Sequence, residues 1–170
     1  MVRVVPAELR LFDAALAGDE GLAEALGHPV APGWVTFTEA LRPSREALAA
    51  AGGDARWGTR FFITEDPVEL VGWGGFKGPP DEDGVVELGY EISDARAGRG
   101  LATAAARAMV EEAFADDSVT AVIAHTLAER NASNRVLEKA GFSFGGEAED
   151  DGETVWRFRL ARVDGAADWP

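Results

Sequence analysis

Apolar residues recur at helical spacing from Ala7 to Ala17 and from Glu20 to Leu26, and a third helical stretch is predicted from about Thr38 to Ala51. Gly27, Pro29, Pro32 and Gly33 separate these pieces. The third helix is expected to start near Pro43, with Ser44 capping the run Arg45 to Ala51, and to end at Gly52-Gly53-Asp54. From Thr59 the period shortens to that of strands: Arg60 to Thr64, Glu69 to Phe76 and Val85 to Ile92, broken at Asp66-Pro67 and from Gly78 to Gly84. Three short strands in succession predict an antiparallel meander.

After Gly100 the helical period returns, with Leu101, Ala105, Met109 and Ala113 on one stripe joined by Ala102, Val110 and Phe114. Val119 to Thr126 reads as a strand and Ala132 to Ala140 as a short helix stopped by Gly141. Phe142 to Gly145 and Thr154 to Leu160 form a closing pair around an acidic turn from Glu147 to Glu153. The strand, helix, strand order from Val85 to Thr126 predicts a right-handed crossover, so those two strands should be parallel neighbours. The result is one α/β domain over residues 1–170: a mainly helical region (1–57), a sheet with helices (58–163) and a loose tail (164–170).

Composition narrows the chemistry. The 170 residues, 46% of them hydrophobic, suffice for one packed core. Thirty acidic against sixteen basic side chains give a net charge of -14, which disfavours nucleic acid and anionic lipid and weakly favours cationic partners. The chain has no cysteine, which excludes disulfides, thiolate nucleophiles and cysteine metal sites, and His28 and His125 lie far apart, so no metal is expected. Met1 to Arg10 contains no signal-like apolar block, and no stretch approaches a membrane span. A cytoplasmic location is the simplest expectation.

The most informative segment is Leu88 to Thr103: a strand, a short turn, and a glycine-containing entry into an amphipathic helix. Glycines at 98 and 100 allow close backbone approach to an anion, and the free amides of a first helical turn attract phosphate oxygens. Arg99 adds a cation. A glycine turn that merely starts a helix would look the same in isolation. A P-loop would need GxxxxGK[ST], and a dinucleotide fingerprint would need a glycine where Thr103 stands.

Ala97-Gly98-Arg99-Gly100-Leu101-Ala102 is similar to the (Q/R)xxGx(G/A) signature of the GNAT acetyltransferase superfamily. The segment Asn131 to Phe142, with its LEKAGF run, resembles that family's N..S...LEK.GF segment. The resemblance covers residues 59 to 162, and the branch it is most similar to acetylates ribosomal proteins or small-molecule amines. It implies a mixed, mostly antiparallel twisted sheet of six to seven strands flanked by helices, with a splayed parallel pair at its centre.

It further implies acetyl-CoA as cosubstrate and a small-molecule amine or a protein N-terminal amine as acceptor. The amides of Gly98, Arg99, Gly100, Leu101, Ala102 and Thr103 would hold the pyrophosphate, with the pantetheine arm along the strand ending at Ile92. Asn131, and less directly Asn134, would contact the cofactor, although Asn131 also suits a helix N-cap. A homodimer is compatible with such folds. Two departures stand out: Ala97 replaces the signature's Gln or Arg, with Arg96 displaced by one, and Leu137 stands where the family often has a proton-donating tyrosine. Tyr90 is the only tyrosine in the chain, and Ser133 or a water is the expected substitute donor.

Amide formation needs a neutral amine and hence a base. On the strand from Val85 to Ile92, alternation puts Glu87, Gly89 and Glu91 on one face and Leu88, Tyr90 and Ile92 on the other. Glu87 is the preferred base and Glu91 the second choice; both also read as members of a solvated acidic strand face. His125 is a weaker candidate, and a backbone amide near Tyr90 to Ile92 would serve the oxyanion. Trp34, Phe37, Trp73 and Phe76 would line an acceptor pocket or simply fill the core. A competing reading is a catalytically silent CoA-binding regulatory domain.

Overall fold

The computed structural model describes residues 1–163; the expected tail from Asp164 lies outside them. Seven strands form one sheet: β1 (Val2–Pro6), β2 (Thr59–Glu65), β3 (Val68–Phe76), β4 (Val85–Ile92), β5 (Ala121–Leu127), β6 (Ser143–Asp150) and β7 (Glu153–Ala161). The spatial order is β1-β2-β3-β4-β5-β7-β6, antiparallel throughout except at β4 and β5. The mixed α/β architecture and the predicted parallel neighbours are thus present.

Helices α1 (Leu9–Ala17), α2 (Asp19–Leu26) and α3 (Leu41–Ala50) cover one face, while α4 (Leu101–Phe114) and α5 (Ala132–Lys139) cover the other. Strand alternation divides the two cores. Phe61 and Ile63 of β2 pack with Leu11, Phe12, Trp34 and Leu48, while Phe62 packs with Val86, Leu88, Met109 and Leu137. The predicted α4 stripe is buried at Ala105, Met109, Val110 and Ala113.

Three boundaries differ from expectation. Val2–Pro6, not predicted as a strand, pairs antiparallel with β2. Helix α3 begins at Leu41 with Ala40 at its N-cap and no side-chain cap, so Ser44 lies inside it and does not cap it. Pro43 is tolerated because the first turn's amides have no intrahelical acceptors to lose. The acidic residues from Glu147 to Asp150 belong to β6 and not to a turn; the reversal is confined to Asp151 and Gly152. β6 is an edge strand, where charged side chains face water at little cost and discourage pairing with other chains.

Candidate active site

The parallel ladder between β4 and β5 covers only Val85–Glu87 against Ala121–Ile123, although β4 continues to Ile92 and β5 to Leu127. Beyond Glu87 the two strands part. The Lys77 amide donates to the Glu87 carbonyl, which turns the backbone groups of Glu87, Gly89 and Glu91 toward β3. By alternation, those of Leu88, Tyr90 and Ile92 face the gap.

At the end of β4 a 3₁₀ turn over Asp94–Arg96 leads into Gly98 and Gly100, both at φ +76°, a left-handed conformation that glycine adopts without steric cost. None of the amides from Gly98 to Thr103 has a hydrogen-bond acceptor among the described residues. A side-chain carbon added at Gly98 or Gly100 would meet nothing within 4 Å, so this amide row faces open space. Six consecutive free donors at the start of a 14-residue helix form a backbone site of the sign that suits an anionic group such as a diphosphate.

All of the row except Arg99 lines a cleft of about 510 Å³ that continues along Tyr90, Glu91 and Ile92 and past Ala132, Ser133 and Val136 of α5. The predicted positions Ile92, Gly98, Gly100, Leu101, Ala102, Thr103 and Ser133 therefore come together on one cleft. Asn131 and Asn134 do not line it. Asn131 is the N-cap of α5 and forms a reciprocal capping box with Asn134. Asn134 is buried, and its amide nitrogen donates to Thr126 Oγ1 at 2.8 Å. Both carboxamides build the helix start that holds Ser133.

Arg96, the displaced cation of the signature, is engaged elsewhere: its Nε and a terminal nitrogen lie 2.6 and 2.7 Å from the two carboxylate oxygens of Glu69 on β3. That hydrogen-bonded pairing holds the Glu69 carboxyl below the usual carboxylate range and raises Arg96.

The two candidate bases have different surroundings. Glu87 accepts from His125 at 2.9 Å and pairs with the Lys77 ammonium at 2.5 Å, which also reaches Asp150 at 3.4 Å. Burial acts to lower the Lys77 pKa, but the hydrogen bond and charge of Glu87, joined by Asp150, raise it above its ordinary value. Ligand-type atoms of Glu87, His125 and Asp150 lie within 4.8 Å of one another, and Lys77 already supplies a cation to that cluster. Glu91 instead accepts from the Trp73 indole and from the Thr36 amide at 2.9 Å, both through Oε1; Oε2 makes no bond among the described residues.

Glu91 and Tyr90 border both the cofactor-side cleft and a second one of about 570 Å³ on the helical side of β4, lined by Phe37, Ser44, Trp73, Phe76 and Lys77. Of the aromatic residues expected to line a pocket, Trp34 is fully buried and belongs to the core, while Phe37 is 61% exposed at the rim.

Sequence reasoning missed the placement of Tyr90. Its hydroxyl lies 3.2 Å from Ser133 Oγ, on the α5 side of β4 and across the strand from Glu91. Burial pushes its pKa up to about 12 against a smaller opposing effect of the Ser133 hydrogen bond, so the phenol stays protonated. Leu137 is fully buried in the core and brings no group to the cleft. Strand alternation, together with the absence of tyrosine at 137, was the available signal.

A family model described as an acetyltransferase (GNAT) domain matches residues 7–143. The chain belongs to the GNAT acetyltransferase family. As a member it is an acetyl-CoA-dependent acyltransferase. It is 29% identical over 143 residues to a Bacillus subtilis protein described as the uncharacterized N-acetyltransferase YjdG, covering 83% of this chain and 85% of that one. Its fold is similar to that of the ribosomal-protein-S5-alanine acetyltransferase of Vibrio fischeri, with a TM-score of 0.70 at 13% identity, covering 96% and 94% of the two chains. It is also similar to the aminoglycoside acetyltransferase AAC(6')-Ib in complex with coenzyme A, with a TM-score of 0.68 at 18% identity, covering 95% of each. The seven-stranded sheet with one splayed parallel pair is the GNAT fold. No helix of the described residues is long and apolar enough to cross a membrane.

Proposed function

We propose that the protein transfers the acetyl group of acetyl-CoA to a primary amine by direct attack, with Glu91 taking the amine's proton and Tyr90 supplying one to the departing thiolate. The observation that carries this reading is that two adjacent residues of β4, with side chains on opposite faces, border both clefts. A group at that border meets the acceptor from one side and the thioester from the other.

The steps balance. The amine nitrogen forms a bond to the acetyl carbon, and its proton passes to the free oxygen of Glu91, directly or through one water. The amides of Tyr90 and Ile92, facing the gap between β4 and β5, are the available donors for the developing oxyanion. The carbon–sulfur bond then breaks, and the sulfur takes a proton from the Tyr90 hydroxyl, which regains one from water through the neighbouring Ser133 hydroxyl as relay. The amide row from Gly98 to Thr103 anchors the diphosphate far from the reacting atoms and so fixes the thioester's position.

Glu91 is favoured over Glu87 because Glu87 is occupied by His125 and Lys77 and lines neither cleft, whereas Glu91 keeps one oxygen free. Its acceptance of the Trp73 and Thr36 donors orients the carboxylate toward the junction.

Thiol release from acetyl-CoA over a panel of amines tests this assignment. Glu91→Gln should lower turnover on the order of a hundredfold with coenzyme A affinity retained, while Glu87→Gln should retain most of it. Full turnover of Glu91→Gln from about pH 6 to 9 would show that the base lies elsewhere. Tight coenzyme A binding with no turnover for any amine would instead favour a silent binding domain.

A further inference from the structure

A cavity of about 710 Å³ adjoins the acceptor-side cleft, and the two share Ser44, Thr59, Phe76 and Lys77 as walls. Together they form a groove that runs from Glu91 between α3 and the end of β3 as far as Asp54. Its walls are apolar for most of this length: Leu48 of α3 and Phe76 of β3 are more than nine-tenths buried, and Trp57 stacks edge-on to Phe76 at 5.2 Å between ring centroids. Carboxylates line it only near its ends. Glu91 stands at the junction with the cofactor cleft, and Asp54 at the far end accepts the Arg56 amide at 2.9 Å. Between them the charged group on the wall is Lys77, a cation.

We propose that this groove selects acceptors that carry one ammonium on an apolar body and discriminates against polycations such as polyamines and aminoglycosides. The inference rests on the amine-transfer reading and adds the substrate class. One cation is accommodated at Glu91, where it must lose its proton to react. An apolar body then displaces water from the groove's apolar lining at Leu48, Trp57 and Phe76. A second or third ammonium between the two ends would lie on apolar walls or against Lys77, whose neighbouring carboxylates Glu87 and Asp150 are already engaged by that lysine, and desolvating an unpaired charge is costly. The -14 net charge of the chain attracts cations at long range but places no carboxylate on the groove wall between Glu91 and Asp54.

The same chemistry could be offered by an arylalkylamine or by an apolar peptide N-terminus, and the test separates them. Acetyl transfer would be measured with phenethylamine, an Ala-Phe-Leu peptide amide, spermidine and kanamycin, with acetyl-CoA binding followed in parallel by thermal shift. One of the first two acceptors should exceed both polycations by about tenfold or more in kcat/KM, the scale on which apolar pockets discriminate. Which of the two leads distinguishes a small-molecule from a peptide acceptor.

Ala47→Glu, at an exposed α3 position on the groove wall, adds a carboxylate without disturbing the helix. It should reduce that ratio, mainly through KM, and because the readout is a ratio it does not depend on the fraction folded. Equal or better use of spermidine or kanamycin by the unaltered protein would overturn the inference and leave amine transfer standing. Absence of turnover with every amine, with acetyl-CoA bound, would remove both.

Discussion

The Tyr90 hydroxyl lies 3.2 Å from the hydroxyl of Ser133, joining the middle of the sheet to the second residue of a helix 43 positions later in the chain. Strand and helix each contribute one oxygen to the cofactor cleft, and the pair stands next to the gap into which a thioester would extend. Replacing Tyr90 with Phe keeps the ring's packing and removes the proton. Turnover should fall on the order of a hundredfold while the KM for acetyl-CoA stays the same. Ser133→Ala should cause a smaller loss, because it acts through the phenol. Steady-state kinetics on both variants would check the order, and a larger effect for Ser133→Ala would make the serine the donor.

The diphosphate cradle is testable by comparing two glycines with the same backbone requirement. Gly100 and Gly146 both have positive φ, +76° and +106°, and a side-chain carbon at either meets nothing within 4 Å. Alanine at either position should therefore cost about 1–2 kcal/mol of stability from the left-handed backbone. Gly100→Ala should in addition weaken coenzyme A binding, because relief of the strained backbone would turn the amides of the free row out of alignment, whereas Gly146→Ala should not. Calorimetric titration beside chemical denaturation separates the two effects.

Alkaline pH should destabilise the fold through Tyr90. Its pKa in the folded protein is about 12 against an ordinary 10, so folding disfavours the phenolate. The stabilising contribution is complete below pH 10 and is lost as pH rises from there through about 12, reaching about 2 kcal/mol at the upper end. Urea midpoints measured at about pH 9 and 11 should differ more for the unaltered protein than for Tyr90→Phe, in which this group no longer titrates.

Much of the sheet could be read from the sequence because its central strands are short apolar runs bounded by Gly and Pro, and because α4 carries a full apolar stripe. The glycine turn before α4 was legible for a related reason: it determines its own backbone, so Gly98 and Gly100 needed no distant partner. β1 was not legible. Five residues carry too short a pattern, and they become a strand only through pairing with Thr64 to Arg60. The choice between Glu87 and Glu91 was beyond the sequence for the same reason. Both share a strand face, and what separates them is contact with Lys77 and His125 in one case and Trp73 and Thr36 in the other. The N-cap at Asn131 was legible from its place directly before α5, whereas the reciprocal bond from the Asn134 side chain was not.

The clasp between Arg96 and Glu69 ties the turn ahead of the amide row to β3, with two hydrogen bonds onto a largely buried carboxylate. A loop secured in this way has little conformational freedom left to surrender when its guest arrives. Under the proposed function, grip on the nucleotide end would be preset by the protein's own ion pair, so that little of the binding energy is spent on ordering the loop and more is left for aligning the thioester with the incoming nitrogen.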